Sequence, residues 1–208
     1  MATLDVISLA EAKQALNLTG TTAHDSELPG WITAVSLRLD KLIGPVVRRT
    51  ITAERHDGGS HRIFLHHHPN TSVTSVTEYQ GTVATVLAEE TNASKPADAY
   101  LVEDYEPVPT LLSSIVWRRS GDADASFPLG RKNLAVTYVA GRFADTASCD
   151  ERSKKAAALM LLNLWRSQQD SSGQVGEFDV PQSIFPTFAV PRAVRQMYDG
   201  EIQDPLPL

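Results

Sequence analysis

The order of apolar and polar positions divides the chain into a helical start, a strand-like middle and a helical end. Leu28, Trp31, Ile32, Val35, Leu39, Leu42 and Ile43 recur at spacings of three and four, which lines one face of an α-helix. Gly44-Pro45 stops that helix, because proline has no amide to donate and disfavours helix at the residue before it. Upstream, Ser8 and Glu11 have the spacing of a capping box, which predicts a short helix from Leu9 to about Leu16 with Leu9, Ala12 and Leu16 on its apolar edge. The second helix is expected to cap at Ser26, with Pro29 in its first turn. Two helices on so short a linker predict an antiparallel pair.

After Gly44 the period falls to two. Thr50 to His56 and His61 to Leu65 flank Asp57-Gly-Gly-Ser60 and predict a hairpin. Ser72 to Tyr79 and Thr82 to Leu87 flank Gln80-Gly81 and predict a second. Tyr100 to Glu103, Leu111 to Trp117 and Leu134 to Val139 read as further strands, with a polar, irregular stretch from Glu89 to Pro96. The expectation is a small antiparallel sheet, or a partly closed barrel, inserted between helical ends. Ser148 and Glu151 repeat the capping-box spacing and predict a helix running to about Gln169. Its centre, Ala156 to Leu162, is apolar on all sides and has to be covered on all sides, by this domain or by a neighbouring subunit. Beyond a glycine-rich stretch, prolines 181, 186, 191, 205 and 207 alternate with Phe185 and Phe188, which reads as an arm lying on a partner. Pro191 opens a short helix, Arg192 to Tyr198.

These elements predict an α+β fold. An N-terminal helix pair and a long C-terminal helix form a small helical bundle, with an inserted antiparallel β domain and an extended C-terminal arm. The expected divisions are 1–45 for the helix pair, 46–145 for the β domain, 146–170 for the long helix and 171–208 for the arm.

Composition narrows the function only a little. A hydrophobic content of 42% is enough for a core, and a formal charge of −6 argues against a general nucleic-acid binder. No apolar run approaches the ~20 residues of a membrane helix, and the start lacks the basic and apolar parts of a signal peptide. A cytosol-like compartment is expected. With one cysteine, Cys149, neither an intrachain disulfide nor a cysteine-rich zinc site can form.

Candidate chemistry is sparse. His56, His61, His66, His67 and His68 cluster, and across the expected hairpin His56 and His61 can face each other. If His66 to His68 continue a strand, His66 and His68 converge while His67 points away. No carboxylate or cysteine completes a zinc spacing, so a polar strand end beside Pro69 is the preferred reading and no metal or cofactor is expected. Asp122-Ala-Asp124 lacks the rest of a calcium loop and reads as an exposed turn. Cys149 follows a helix-starting serine, where a thiolate would be favoured, but without a paired histidine it reads as a small first-turn residue. No phosphate loop, nucleophile elbow or dinucleotide fingerprint occurs, so no enzyme is expected. Arg192 and Arg195, with Val194, Met197 and Tyr198 on the same short helix, read as an interface.

Four segments carry a recognisable pattern in order: Ser36 to Gly44 closing the helix pair; Leu65 and then Pro69 to Val76; Val136 to Gly141 leading into Glu151 to Arg166; and Val190-Pro-Arg-Ala-Val-Arg195. The chain resembles the head-to-tail connector, or adaptor (head completion), proteins of long-tailed bacteriophages. The resemblance implies a virion protein of the head-to-tail neck, assembled in the host bacterial cytoplasm. Copies of it form a ring, usually a dodecamer, beneath the portal, joining capsid to tail and letting genome DNA pass without sequence-specific binding. Its implied partners are the portal protein, a stopper or tail-completion protein and its own copies. Portal contact falls to Phe185, Phe188, Pro191, Arg192, Val194, Arg195, Met197 and Tyr198. Subunit or bundle packing falls to Trp31, Val35, Leu39, Leu159, Leu162 and Trp165. The acidic balance predicts a negative or neutral channel wall along which DNA slides. Two other readings stand beside it: a non-catalytic β module binding a carbohydrate or peptide ligand, or a protein, on a helical scaffold; and an enzyme with a metal on the histidine cluster.

Overall fold

A computed structural model describes residues 4–104, 112–170 and 190–201. It divides into two compact units. One is built from residues up to Val47 together with those from Phe143 onward, and the other is Arg48–Arg142.

The first unit holds the helices. Helix α1, Leu9–Ala15, starts where the Ser8 side chain accepts the Glu11 amide and the Glu11 carboxylate takes the Ser8 amide, so two orphan donors are satisfied at once. Helix α2, Leu28–Ile43, does not cap at Ser26. Its N-cap is Glu27, without a side-chain cap bond, and the chain enters through successive turns. Gly44, at φ 81°, ends it. Leu28, Ile32, Val35, Leu39 and Ile43 are buried along one face, each contributing about 2 kcal/mol by removal from water. Helix α3, Glu151–Asp170, is capped by Asp150, whose carboxylate accepts the Ser153 amide at 2.9 Å, and Ser148 instead closes a turn with Asp145. Helix α4, Arg192–Met197, follows Pro191. Ala156, Ala157, Met160, Leu161 and Leu164 of α3 are buried with the α2 face and with Val190, Val194 and Tyr198 in one core.

The second unit is a single eight-stranded sheet in the order β1-β8-β3-β4-β5-β6-β2, with β7 on β6. The strands are β1 Arg49–His56, β2 Arg62–Phe64, β3 Asn70–Gln80, β4 Val83–Glu89, β5 Ala99–Asp104, β6 Leu112–Ser120, β7 Ala123–Asp124 and β8 Leu134–Ala140. Asn70 of β3 pairs with Leu112 of β6, so β3, β4, β5 and β6 close into a four-stranded barrel with four further strands around it. Strand β3 serves both parts. Irregularities between Asn70 and Ser72 and between Val73 and Ser75 accompany its pairing with β8, and its far end pairs with β4. The buried core of this unit includes Val76, Leu87, Tyr100, Val116, Phe127, Leu134, Val136 and Tyr138.

The expected fold class is therefore corrected. The chain is a mostly β protein, a closed four-stranded barrel plus four more strands with a few helices, and not a helical bundle with a long C-terminal helix carrying a β insert. The sheet is also not purely antiparallel, since β4 and β5 run parallel at Ala88↔Ala99 and Glu89↔Tyr100. The first expected hairpin does not form. Strand β1 pairs with β8 and β2 with β6, because Asp57-Gly-Gly-Ser60 does not double back. It packs on the loop before β8, with the Gly58 amide on Gly130 O at 2.9 Å and the Gly59 amide on Phe127 O at 3.1 Å.

Candidate functional site

Among the described residues of the sheet unit, a dense polar constellation centres on Glu54. Glu54 and His56 are two apart on β1 and share a face. A register irregularity between Ile51 and Glu54, with Ala53 at φ 51°, precedes them. The loop after β2 brings His66 and His67 over that face. His56 Nε2 lies 2.8 Å and His66 Nδ1 3.1 Å from Glu54 Oε1, while His67 Nδ1 lies 3.1 Å from Oε2. Tyr138 of β8 donates its hydroxyl to Oε2 at 2.6 Å, and the His66 amide donates to Oε1 at 3.0 Å. The His67 amide donates to the Tyr138 hydroxyl at 3.2 Å. The rings of His56 and His66 stack, with centroids 4.9 Å apart and planes at 17°.

Burial alone would raise the Glu54 carboxyl. The hydrogen bonds from His56, Tyr138, the His66 amide and His67 outweigh it and hold the group well below the usual carboxylate range. Burial, reinforced by the bond to Glu54, pushes the Tyr138 phenol far up, so it stays a donor. The hub is a partly buried carboxylate ringed by donors.

The histidines fall differently from the strand-alternation expectation. Residues 66 and 67 lie beyond the end of β2, so alternation does not govern them, and it is His66 and His67 that reach Glu54. His68, which precedes a cis peptide bond to Pro69, is held below its ordinary value by burial and by the nearby charges of Arg142 and His67. His61 belongs elsewhere, its Nδ1 3.1 Å from the Ala125 carbonyl. The sequence reading missed Glu54 and Tyr138. The one local signal was the two-residue spacing of Glu54 and His56.

Two ion-pair networks brace the barrel. Arg118 meets buried Glu78 at 3.1 Å and Asp98 at 2.9 Å, and Arg119 meets Glu90 at 2.8 Å and also Asp124. This places Asp124 in a structural ion pair. Cys149 is buried, and burial pushes its thiol up to about 11, which removes any nucleophilic thiolate.

In the helical unit Val35 and Leu39 are buried. Trp31, Leu159, Leu162 and Trp165 pack half-buried against the core, with the two tryptophan rings 5.3 Å apart. On α4 the side chains separate by role. Val194 and Tyr198 are fully buried, and the Tyr198 hydroxyl is 3.0 Å from Ser153 Oγ under the Arg152 guanidinium. Met197 and Pro191 are half-buried, and Arg192 and Arg195 are exposed. Phe185 and Phe188 lie outside the described residues.

No protein-family model matches the chain, and no curated protein matches it. The fold is shared with a solved chain from the neck of an empty GTA (gene transfer agent) particle computed with C6 symmetry. The TM-score is 0.50 at 17% identity, over 100% of this chain and 98% of that one.

Proposed function

We propose that this chain is a structural neck protein of a phage-like particle, an adaptor that forms a ring beneath the portal, joins capsid to tail and lets genome DNA pass. The observation that carries the reading is the likeness to a neck chain over essentially the full length of both proteins. A fragmentary match would have fitted any small barrel; this one takes in both the helical and the sheet unit. The C6 symmetry of that neck divides evenly into a ring of twelve. In this reading the chain acts by binding its neighbours and catalyses nothing. It resides in the virion after assembly in the host cytoplasm.

The proposed contacts follow from exposure. Arg192 and Arg195 face solvent on α4 and are the side chains we assign to the portal; Phe185 and Phe188 join them on the sequence pattern alone. Val194 and Tyr198 act through α4, holding it on α3. Leu159, Leu162, Trp31 and Trp165 keep part of their surface open, which suits packing against a neighbouring copy.

Deleting the gene in a particle-producing host tests the proposal. The expected result is heads and tails that accumulate unjoined and join again when the gene is supplied from a plasmid. Normal tailed particles from the deletion strain would overturn it.

A further inference from the structure

We propose that Glu54, His56 and His66 form a binding site for a divalent transition-metal ion of the zinc class. The donor atoms, one carboxylate oxygen and two imidazole nitrogens, lie within 4.8 Å of one another. In a tetrahedral zinc site with ligand bonds of ~2.0–2.1 Å, neighbouring donors stand about 3.4 Å apart. The two contacts to Glu54 Oε1 are 2.8 and 3.1 Å, so on these two edges a cation entering the cluster asks for a spread of about half an ångström or less to reach the tetrahedral spacing.

The surroundings suit a cation. The carboxylate is largely enclosed, so its charge is partly shielded from water. The Tyr138 hydroxyl fixes Oε2 at 2.6 Å and leaves Oε1 as the shared corner, the kind of outer partner that orients a metal-ligating carboxylate. His67, on Oε2, supplies a second such partner. The His56 and Glu54 side chains are 8% and 9% exposed, whereas His66 is 52% exposed. Two ligands are thus held by the sheet, and the third stands at the mouth, where an ion can enter and keep water in its remaining positions. Two imidazoles with one carboxylate favour zinc, cobalt, nickel or copper over magnesium and calcium, which prefer all-oxygen shells. A bound ion would tie β1 to the loop between β2 and β3, fastening the first strand of the sheet to the entrance of β3.

Untagged full-length protein, stripped with a chelator and dialysed, is titrated with zinc by calorimetry and with cobalt by visible absorption. One ion per chain is expected, with a cobalt spectrum of low-coordinate nitrogen and oxygen ligation. Zinc is expected to raise the melting temperature of the wild type. His66→Ala, at an exposed position that should not disturb folding, is expected to weaken binding at least about tenfold, the scale of losses at metal-site partners. At the same zinc concentration it should also shrink the zinc-dependent rise in melting temperature, because stabilisation falls with the logarithm of the weakened affinity. His61→Ala, whose ring bonds elsewhere, is expected to bind as the wild type does. No saturable binding to the wild type overturns the proposal and leaves the cluster as a hydrogen-bonded hub. Equal binding by His66→Ala, or loss of binding in His61→Ala, overturns it as well.

Discussion

At the scale of single residues, burial decides which titratable groups are usable. Cys149 is 6% exposed with its thiol pushed up to about 11, so the folded protein should not react with a disulfide reagent at pH 8, and one thiol per chain should appear in guanidinium. Rapid labelling of the native protein would contradict this burial. Tyr100 gives a pH prediction with a definite sign. Burial, and then the charge of Glu89, raises its phenol from 10.0 to about 12. A raised folded-state value means that the neutral phenol's contribution is complete below pH 10 and drains away as pH rises towards 12. Urea midpoints should therefore fall over that window less steeply in Tyr100→Phe than in the wild type. At this scale the sequence was readable where partners are near neighbours. The Ser8–Glu11 box is fully local, and its geometry follows from spacing alone. The Glu54 hub was not readable, because His66 and Tyr138 reach it through the fold and no chain spacing records that.

At the scale of elements, the same distinction separates turns from pairings. Gln80-Gly81 marks the β3–β4 hairpin one residue early: Gln80 still pairs with Val83, and Gly81 at φ 61° opens the two-residue connection Gly81-Thr82. Asp57-Gly-Gly-Ser60 looked equally good and does something else: its glycines allow a close approach of two loops. A Cβ on Gly58 would lie 1.9 Å from the Pro128 carbonyl oxygen and 2.9 Å from Asn133 Oδ1. Gly58→Ala is thus expected to cost about 1–3 kcal/mol by overpacking, read as a lower denaturation midpoint. A hairpin turn with room at that position would have tolerated it. Strand β6 supplies a second test, because Arg118 is 8% and Glu78 5% exposed in the side chain. Removing the guanidinium leaves the carboxylate buried with no bidentate partner, and Arg118→Ala should cost about 3–5 kcal/mol. Arg118→Met with Glu78→Leu should recover much of that loss, because the cost lies in the stranded charge. The pattern of strands told where β6 is; it could not tell that an arginine inside it faces a glutamate forty residues earlier.

At the scale of the whole molecule, the helical stripe from Leu28 to Ile43 was the loudest signal in the sequence and led to a bundle as the organising structure. Periodicity reports which face of an element is buried, and it is silent on whether a set of strands closes. Closure here depends on one long, irregular strand, β3, meeting both β4 and β6, and on a two-residue parallel contact between β4 and β5. Neither leaves a period in the chain. The C-terminal segment shows the converse. Its mixture of prolines, aromatics and arginines read as an arm for a partner, yet Val194 and Tyr198 complete the helical core, so removing residues 180–208 would damage folding as well as any docking. The two roles separate by substitution. Val194→Ala, at a fully buried site, should lower stability by about 1–2 kcal/mol, with any loss of particle joining following from the weaker fold. Arg192→Glu with Arg195→Glu, at exposed sites, should stay within about 0.5 kcal/mol of the wild type. If these arginines carry the portal contact, the double substitution nevertheless leaves heads and tails unjoined, because a reversed charge meets its partner with repulsion while the fold beneath is unchanged. Full joining by a stably folded Arg192→Glu/Arg195→Glu protein would remove α4 from the portal surface and leave it a purely internal brace.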